Sequence, residues 1–167
     1  MSFYFHLRSV PPADLTNDRD RLQALFEDDW DVIRARCRAG TEAVLDKDYL
    51  DFERLYVGTS PPDRPGPPGP EALPVLGGRP VYYPGHKLPP FLVMTPPQVA
   101  EAAAYLATVS FDALWQAGHE ELTARYGQPY DPSEVRDHFA GHHAELRAFY
   151  ARAAAAEGHA VVKWLVV

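Results

Sequence analysis

Hydrophobic and polar residues alternate at the start of the chain, while a nearly unbroken hydrophobic run closes it. In the first stretch, Phe3, Phe5 and Leu7 alternate with polar or amphipathic side chains, and two prolines then follow. A period of two is typical of a β-strand with one buried face, and the prolines end it. Residues 160–167 are apolar on both faces except for Lys163, which predicts a central strand covered on both sides.

Hydrophobic residues at helical spacing predict about five helices between these terminal strands. Acidic residues at 27–29 divide the first helical region, with an aspartate capping its second half. Residues 95–98 and 131–134 each combine a capping side chain with proline in the first turn, which marks a helix start. The inward faces of the first and last regions are expected to carry Leu22, Phe26, Trp30, Ile33 and Cys37, and Val135, Phe139, His142, Leu146, Phe149 and Ala153.

Together these elements predict a single α+β domain over residues 1–167. Hydrophobic runs at 79–83 and 91–94 supply two further strands. We therefore expect a small mixed or antiparallel sheet with N- and C-terminal strands, packed by about five helices. Prolines and glycines dominate residues 60–74, where a surface loop is predicted because proline lacks a backbone donor. That loop is either an insertion without a partner or a ligand for a proline-recognising protein.

The charge of the chain limits its partners. Its formal net charge is −7, from 16 basic and 23 acidic residues, and the basic residues are scattered apart from Arg34, Arg36 and Arg38. A protein that binds nucleic acid normally presents a basic patch, so we expect no nucleic acid and no anionic membrane surface as partner. A protein partner or a small ligand fits the composition better.

The chain contains one cysteine, Cys37. A lone thiol forms no intrachain disulfide, which favours a reducing compartment, and the N-terminus lacks the features of a signal peptide. We therefore predict a cytoplasmic protein. The arginines at 36 and 38 would favour a reactive thiolate if Cys37 were exposed, but its place on an apolar helix face predicts burial, and no catalytic motif accompanies it.

Four stretches follow one another in an order found in a known family. They are the N-terminal strand with Phe3-Tyr4-Phe5, the segment 45–52 that is similar to a Leu-Asp-Lys-Xaa-Trp pattern, the stretch Met94-Thr95-Pro96-Pro97-Gln98-Val99, and a last helix with Phe149-Tyr150 before a hydrophobic strand. In this order they resemble the YfbM-like family of bacterial proteins of unknown function. Tyr49 stands where a tryptophan is usual, and residues 60–74 replace a more conventional connection. The resemblance implies an α+β fold and a bacterial cytosolic setting, and it supplies no catalytic residues.

Polar residues beside aromatic ones mark two candidate ligand-binding segments. Asp46 and Lys47 would line a polar pocket beside Tyr49, although an aspartate at this place would equally serve to cap the helix that buries Tyr49. Tyr83 and His86 lie in a turn between two predicted strands, where binding residues are common and where a simple structural turn is the alternative. No glycine-rich phosphate-binding motif occurs in the sequence.

His138 and His142 are four positions apart, so both imidazoles can face one side of a helix. They form a candidate metal half-site, for which His6, His86 or His119 would supply the third ligand. The sequence lacks the zinc-protease pattern His-Glu-Xaa-Xaa-His, and a neutral His142 that is hydrogen-bonded in the core is the alternative.

These patterns favour a binding or interaction module without catalytic activity and without a cofactor. Two alternatives stay open. One is a metal-dependent or acid–base enzyme that uses His138 and His142. The other is an immunity-type inhibitor of a toxin, a role that a small acidic bacterial domain would suit.

Overall fold

Five strands form one antiparallel sheet in the computed structural model, which describes residues 3–58, 66–126 and 130–167. The strands are β1 (Tyr4–Val10), β2 (Glu42–Leu45), β3 (Arg79–Val81), β4 (Phe91–Met94) and β5 (Ala160–Val166). Across the sheet their order is β2–β1–β5–β4–β3. The N- and C-terminal strands therefore pair with each other, as the predicted α+β sheet requires.

The last strand, β5, lies at the centre of the sheet, as its hydrophobic composition predicts. Lys163 stands opposite Leu7 of β1 and Leu92 of β4. The strand β1 is buried on both faces, since Phe5 is 3% exposed and His6 is 1% exposed. The prediction of a single buried face for β1 is therefore wrong, because hydrophobic layers cover both sides of the sheet.

Six α-helices surround the sheet in the described ranges. They are α1 (Arg19–Ala24), α2 (Trp30–Ala39), α3 (Tyr49–Val57), α4 (Pro96–Thr108), α5 (Phe111–Tyr126) and α6 (Pro132–Ala155). About five were expected. The sixth arises because the first helical region divides at the acidic residues 27–29, as its sequence indicates.

The helix starts follow the predicted capping signals. The side chain of Asp29 accepts two backbone N–H bonds of α2, and that of Asp131 accepts one of α6. At α4, Thr95 and Gln98 complete a capping box. These bonds satisfy the N–H groups that a helix start leaves free. Gly40 ends α2 at a φ of 75°, in the left-handed region that favours glycine.

Two hydrophobic layers sandwich the sheet. Helices α3 to α6 pack against one face, where the largest buried side chains include Leu7, Phe52, Leu106, Phe139, Phe149 and Tyr150. On the other face, α1 and the chain after it cover a smaller cluster of Val10, Leu22, Phe26, Phe91, Val93, Val162 and Trp164. The sheet is thus central in the molecule, with a hydrophobic layer on each face.

A buried lysine ties the segment 73–77 to the central strand. Lys163 is 0% exposed, and its Nζ donates hydrogen bonds to the carbonyl oxygen of Leu73 and, at 2.9 Å, to those of Val75 and Gly77. Three acceptors match the three N–H groups of an ammonium. Burial lowers the pKa of Lys163 to about 7, and the charge of Glu53 opposes that shift.

Part of the predicted loop at 60–74 packs into this buried region. Residues 60–65 lie outside the described residues. Residues 66–68 are exposed, whereas Pro70–Ala72 forms a short 3-10 helix whose first position suits proline. Ala72 is 4% exposed. The end of the tract therefore joins the core, because the carbonyl groups that follow it bind Lys163.

Two side chains predicted to point inward do so less than expected. On α6 the buried histidine is His143, at 6% exposed, and not His142. Both positions satisfy helical spacing from Phe139, one as i+3 and the other as i+4, and the pattern alone does not separate them. Trp30 begins α2 and is 49% exposed. The helical spacing that links Trp30 to Leu22 and Phe26 crosses the break between α1 and α2. The two helices therefore do not share one inward face.

The strand β2 was not predicted from the sequence. It has four residues, which are too few for a period to show. It pairs with β1, with Leu45 opposite Phe5. Its Glu42 is 2% exposed and bonds to His6 at 2.9 Å and to Arg36 at 3.1 Å. A buried carboxylate in an edge strand becomes stable only through these distant partners.

Replacing Lys163 with methionine should lower the free energy of unfolding by about 3 kcal/mol or more, because three buried carbonyl groups lose their donor. Urea unfolding at pH 7 measures the change. The matched control is Lys87→Met, since Lys87 is exposed, and it should change stability by less than about 0.5 kcal/mol. Equal effects of the two substitutions would contradict the structural role of Lys163.

The stability that Lys163 contributes should also depend on pH. Its pKa is about 7 in the folded protein against an ordinary 10.5, so between these values the unfolded chain binds a proton that the folded chain does not. The stability that Lys163 contributes therefore increases between pH 7 and pH 10.5. It is lost as the pH falls back through 7. Between pH 7 and pH 10 the stability difference between the wild type and Lys163→Met should widen by up to about 4 kcal/mol. A difference that stays constant over this range would refute the pKa assignment.

Candidate functional site

A cleft of about 600 Å³ opens at the edge of the sheet where β1 begins. Its walls come from the start of β1, the start of α2, the turn between β2 and α3, the end of α5 and the start of α6. The residues that line it are Phe3, Tyr4, Trp30, Asp46, Lys47, Asp48, Tyr126, Tyr130, Glu134, Val135 and His138. Five of these side chains are the rings of Phe, Tyr or Trp, and five are the polar groups of Asp, Glu, Lys or His. The cleft therefore combines an apolar surface with a few polar groups.

Two aromatic pairs form the apolar surface. Tyr4 and Trp30 lie with ring centroids 4.8 Å apart and an interplanar angle of 46°. Tyr126 and Tyr130 meet edge to face at 5.9 Å. Trp30 is 49% and Tyr130 is 55% exposed, although large aromatic side chains gain most from burial. Exposed aromatic rings that meet at one cleft are typical of a binding surface.

Asp48 supplies the polar wall of the cleft. It occupies the N-cap position of α3 but makes no side-chain cap bond to that helix. Its Oδ2 instead accepts hydrogen bonds from His138 Nε2 and, at 3.3 Å, from the hydroxyl of Tyr126. The alternative that an aspartate here simply caps the helix is therefore wrong for Asp48, because its carboxylate turns towards α5 and α6.

The carboxylate of Asp48 is only partly satisfied by these bonds. Its Oδ1 is buried and has no hydrogen-bond partner among the described residues, and its side chain is 13% exposed. Burial raises the pKa of Tyr126, and the charges of Asp48 and Asp51 raise it further. Tyr126 therefore stays a neutral hydroxyl that donates to Asp48.

The predicted binding residues fall into two separate places. Asp46 and Lys47 line the cleft. Tyr49 stacks on Phe5 at 5.0 Å and packs against the larger core, so it supports the turn without lining the cleft. Tyr83 lies on the opposite face of the sheet, where it packs against the smaller core.

The turn after β3 is thus not part of this cleft. The hydroxyl of Tyr83 donates to Gln23 at 2.8 Å, and its ring lies 5.5 Å from that of Phe91. His86 belongs to the short 3-10 helix Pro84–His86 that follows. The proposed grouping of Tyr83 and His86 with Asp46 and Lys47 is therefore not what the fold produces, because the sheet separates the two segments.

The two candidate metal ligands are neighbours on α6. The rings of His138 and His142 meet edge to face at 4.7 Å. His138 binds Asp48, and His142 Nδ1 lies 3.3 Å from Glu145 Oε2. Across the described ranges no group of three or more His, Cys, Asp or Glu side chains is arranged to hold a metal ion.

Two of the residues considered as a third metal ligand are engaged elsewhere. His6 binds the buried Glu42 at 2.9 Å. His119 Nδ1 bonds to the carbonyl oxygen of Trp115 at 3.0 Å. The geometry therefore makes His138 a partner of Asp48 and engages His6 and His119 with other groups.

Cys37 lies apart from the cleft and is half-buried on α2. Burial raises the pKa of its thiol to about 11, with further contributions from the charges of Glu42 and Glu145. The neighbouring arginines do not reverse this, because Arg36 binds Asp28 and Glu42. The thiolate is thus disfavoured, although Cys37 is only half-buried, whereas the helix pattern predicts its burial.

Several cleft residues were missed by sequence reasoning. Phe3 and Tyr4 belong to a predicted strand, Trp30 falls on a predicted inward helix face, and Glu134 belongs to a predicted helix start. Tyr126 and Tyr130 carry no signal. The sequence does offer one signal for an exposed ring. Trp30 directly follows the capping Asp29, and the first residue of a helix commonly lies at the rim of the core. The meeting of these side chains depends on tertiary contacts.

The fold and site define a single-domain α+β protein with an aromatic-lined cleft at one edge of a five-stranded antiparallel sheet. The chain belongs to the family described as a domain of unknown function, DUF1877, whose family model matches residues 1–163. The predicted family resemblance is thereby confirmed.

A solved structure shares this fold. The crystal structure of YfbM from Escherichia coli, a protein of unknown function, matches with a TM-score of 0.62 and 16% sequence identity. The match covers 99% of this chain and 100% of that one. At this identity the similarity shows the fold alone. Among curated proteins, none matches the sequence.

No helix among the described residues is both long and apolar enough to span a lipid bilayer.

The thiol of Cys37 should react slowly in the folded protein. A pKa of about 11 against an ordinary 9.0 leaves about 100-fold less thiolate at pH 8. Alkylation by iodoacetamide, followed by mass spectrometry, should therefore be at least about 100-fold slower than in the same chain unfolded in urea. The variant Glu145→Gln removes one of the raising charges and should speed the reaction. Equal rates for folded and unfolded protein would contradict the pKa shift.

Proposed function

We propose that this protein is a binding module that holds a small organic ligand in the cleft between Trp30 and Tyr130. One observation carries the proposal. Half-exposed aromatic rings meet there over a concave volume of about 600 Å³ that also presents charged side chains. Binding sites for small molecules have this size and this combination of an apolar lining with few polar groups.

The walls of the cleft are anchored in the fold, which favours selective binding. Asp29 caps α2 and so fixes the position of Trp30. Bonds from Asp48 to His138 and to Tyr126 join the turn before α3 to both α5 and α6. A site whose walls are already held in place loses little conformational entropy when the ligand binds.

A second candidate function is acid–base catalysis at His138. The observation that favours it is the bond between His138 Nε2 and Asp48, which orients the imidazole at the wall of the cleft. A carboxylate that orients a histidine is a common feature of catalytic bases. This reading concerns proton transfer between His138 and a bound ligand.

We further propose a cytoplasmic location. Its support is the single cysteine, which forms no intrachain disulfide. Proteins of oxidising compartments commonly use disulfides, whereas a lone thiol suits a reducing one.

Trp30→Ala should abolish ligand binding in the cleft. A panel of small amines, carboxylates and neutral aromatic compounds would be screened by thermal shift with wild-type protein. A compound at about 100 times its Kd stabilises the fold by about 2.7 kcal/mol, and this gain should disappear in Trp30→Ala. Chromatography of the same mixtures shows whether His138 and Asp48 turn the compound over.

Leu88→Ala is the matched control, since Leu88 is 39% exposed and does not line the cleft. It should keep the full thermal shift. Binding that survives Trp30→Ala would place the site elsewhere, and a panel without any stabilising compound would count against the proposal itself.

A further inference from the structure

We propose that the cleft selects an organic cation, an ammonium group carried on a small apolar body, over neutral and anionic molecules of the same shape. The inference rests on the proposed binding function and specifies its ligand class. Three observations carry it: the charge balance of the lining, the arrangement of the aromatic rings, and the position of the chain's own lysine in the cleft.

The first observation is an excess of negative charge. Asp46, Asp48 and Glu134 line the cleft, and Lys47 is the one permanent cation among its described lining residues. The chain as a whole carries a net charge of −7. Asp48 is largely buried, so its charge is less screened by salt than that of a surface carboxylate. An anionic ligand would meet repulsion here, whereas a cation would meet attraction.

The second observation is the aromatic lining. The faces of Trp and Tyr rings carry negative charge density and attract cations within about 6 Å of the ring centre. Tyr4 and Trp30 are inclined at 46° to each other, and Tyr126 and Tyr130 at 87°. All four of these rings line the cleft, and aromatic rings that line a common pocket are the usual feature of sites that bind ammonium groups.

The third observation is that the cleft already holds one cation against a ring. Lys47 Nζ lies 5.9 Å from the centroid of Phe3, and both residues line the cleft. The ammonium of Lys47 therefore shows where cation–π contact is available, and it also competes with a cationic ligand. Removing it should strengthen the binding of such a ligand.

Three probes of similar shape test the selection: phenethylamine as cation, 2-phenylethanol as neutral analogue and 3-phenylpropionate as anion. Trp30 fluorescence reports binding, since the other two tryptophans, Trp115 and Trp164, are 6% and 8% exposed. Phenethylamine should bind at least about tenfold more tightly than 2-phenylethanol, and 3-phenylpropionate most weakly. Added salt should reduce the preference for the amine.

Charge variants assign the preference to the lining. The double variant Asp46→Asn with Glu134→Gln should weaken phenethylamine severalfold and leave 2-phenylethanol unchanged, and Lys47→Met should strengthen phenethylamine. Asp137→Asn is the matched control, because Asp137 is exposed on α6 and does not line the cleft. It should leave all three affinities unchanged.

The outcomes separate this inference from the function on which it rests. Equal binding of amine and alcohol, or tighter binding of the carboxylate, would overturn the choice of a cation and leave a ligand-binding cleft in place. Binding of none of the three probes also overturns it. The binding function itself fails only if the wider panel of compounds produces no shift that depends on Trp30.

Discussion

The side chain of Lys163 connects the central strand β5 to the segment 73–77. It lies fully buried on the central strand and donates to three carbonyl oxygens of residues 73–77. The segment that it holds contains the 3-10 helix Pro70–Ala72, which packs against α3 and α4. An apolar side chain at this place would leave the three buried carbonyl groups without a donor, which would destabilise the fold. The hydrogen bonds of Lys163 therefore fix how the middle of the chain rests on the sheet.

The cleft depends on an aspartate that forms tertiary hydrogen bonds in place of a local helix cap. Asp48 stands where a helix cap is expected, yet its carboxylate binds His138 and Tyr126 and leaves α3 without a side-chain cap. Departures from a local rule are common at functional sites, where other interactions compensate for them. Here the bonds of Asp48 to His138 and Tyr126 join α3 to α5 and α6. They place a partly desolvated carboxylate at the wall of an aromatic cleft.

Membership of a family of unknown function assigns the fold and no chemistry. The similarity to YfbM, at 16% identity, likewise extends to the fold alone. Function must therefore be argued from the site. In this chain the site is the meeting of half-exposed rings with carboxylates at the sheet edge. The buried histidines His6 and His143 bond to Glu42 and Tyr56 in the core and do not line that cleft.

The sequence by itself determined the helices, four of the five strands and the central place of β5, since periodicity and capping involve residues within about four positions of one another. It also marked Asp46, Lys47 and His138 as candidates. Only the tertiary structure decided that these three line one cleft with Trp30 and Tyr130, that Tyr83 lies across the sheet, and that His143 and not His142 is in the core. Those contacts join residues far apart in the chain, and no local pattern encodes which distant side chains meet.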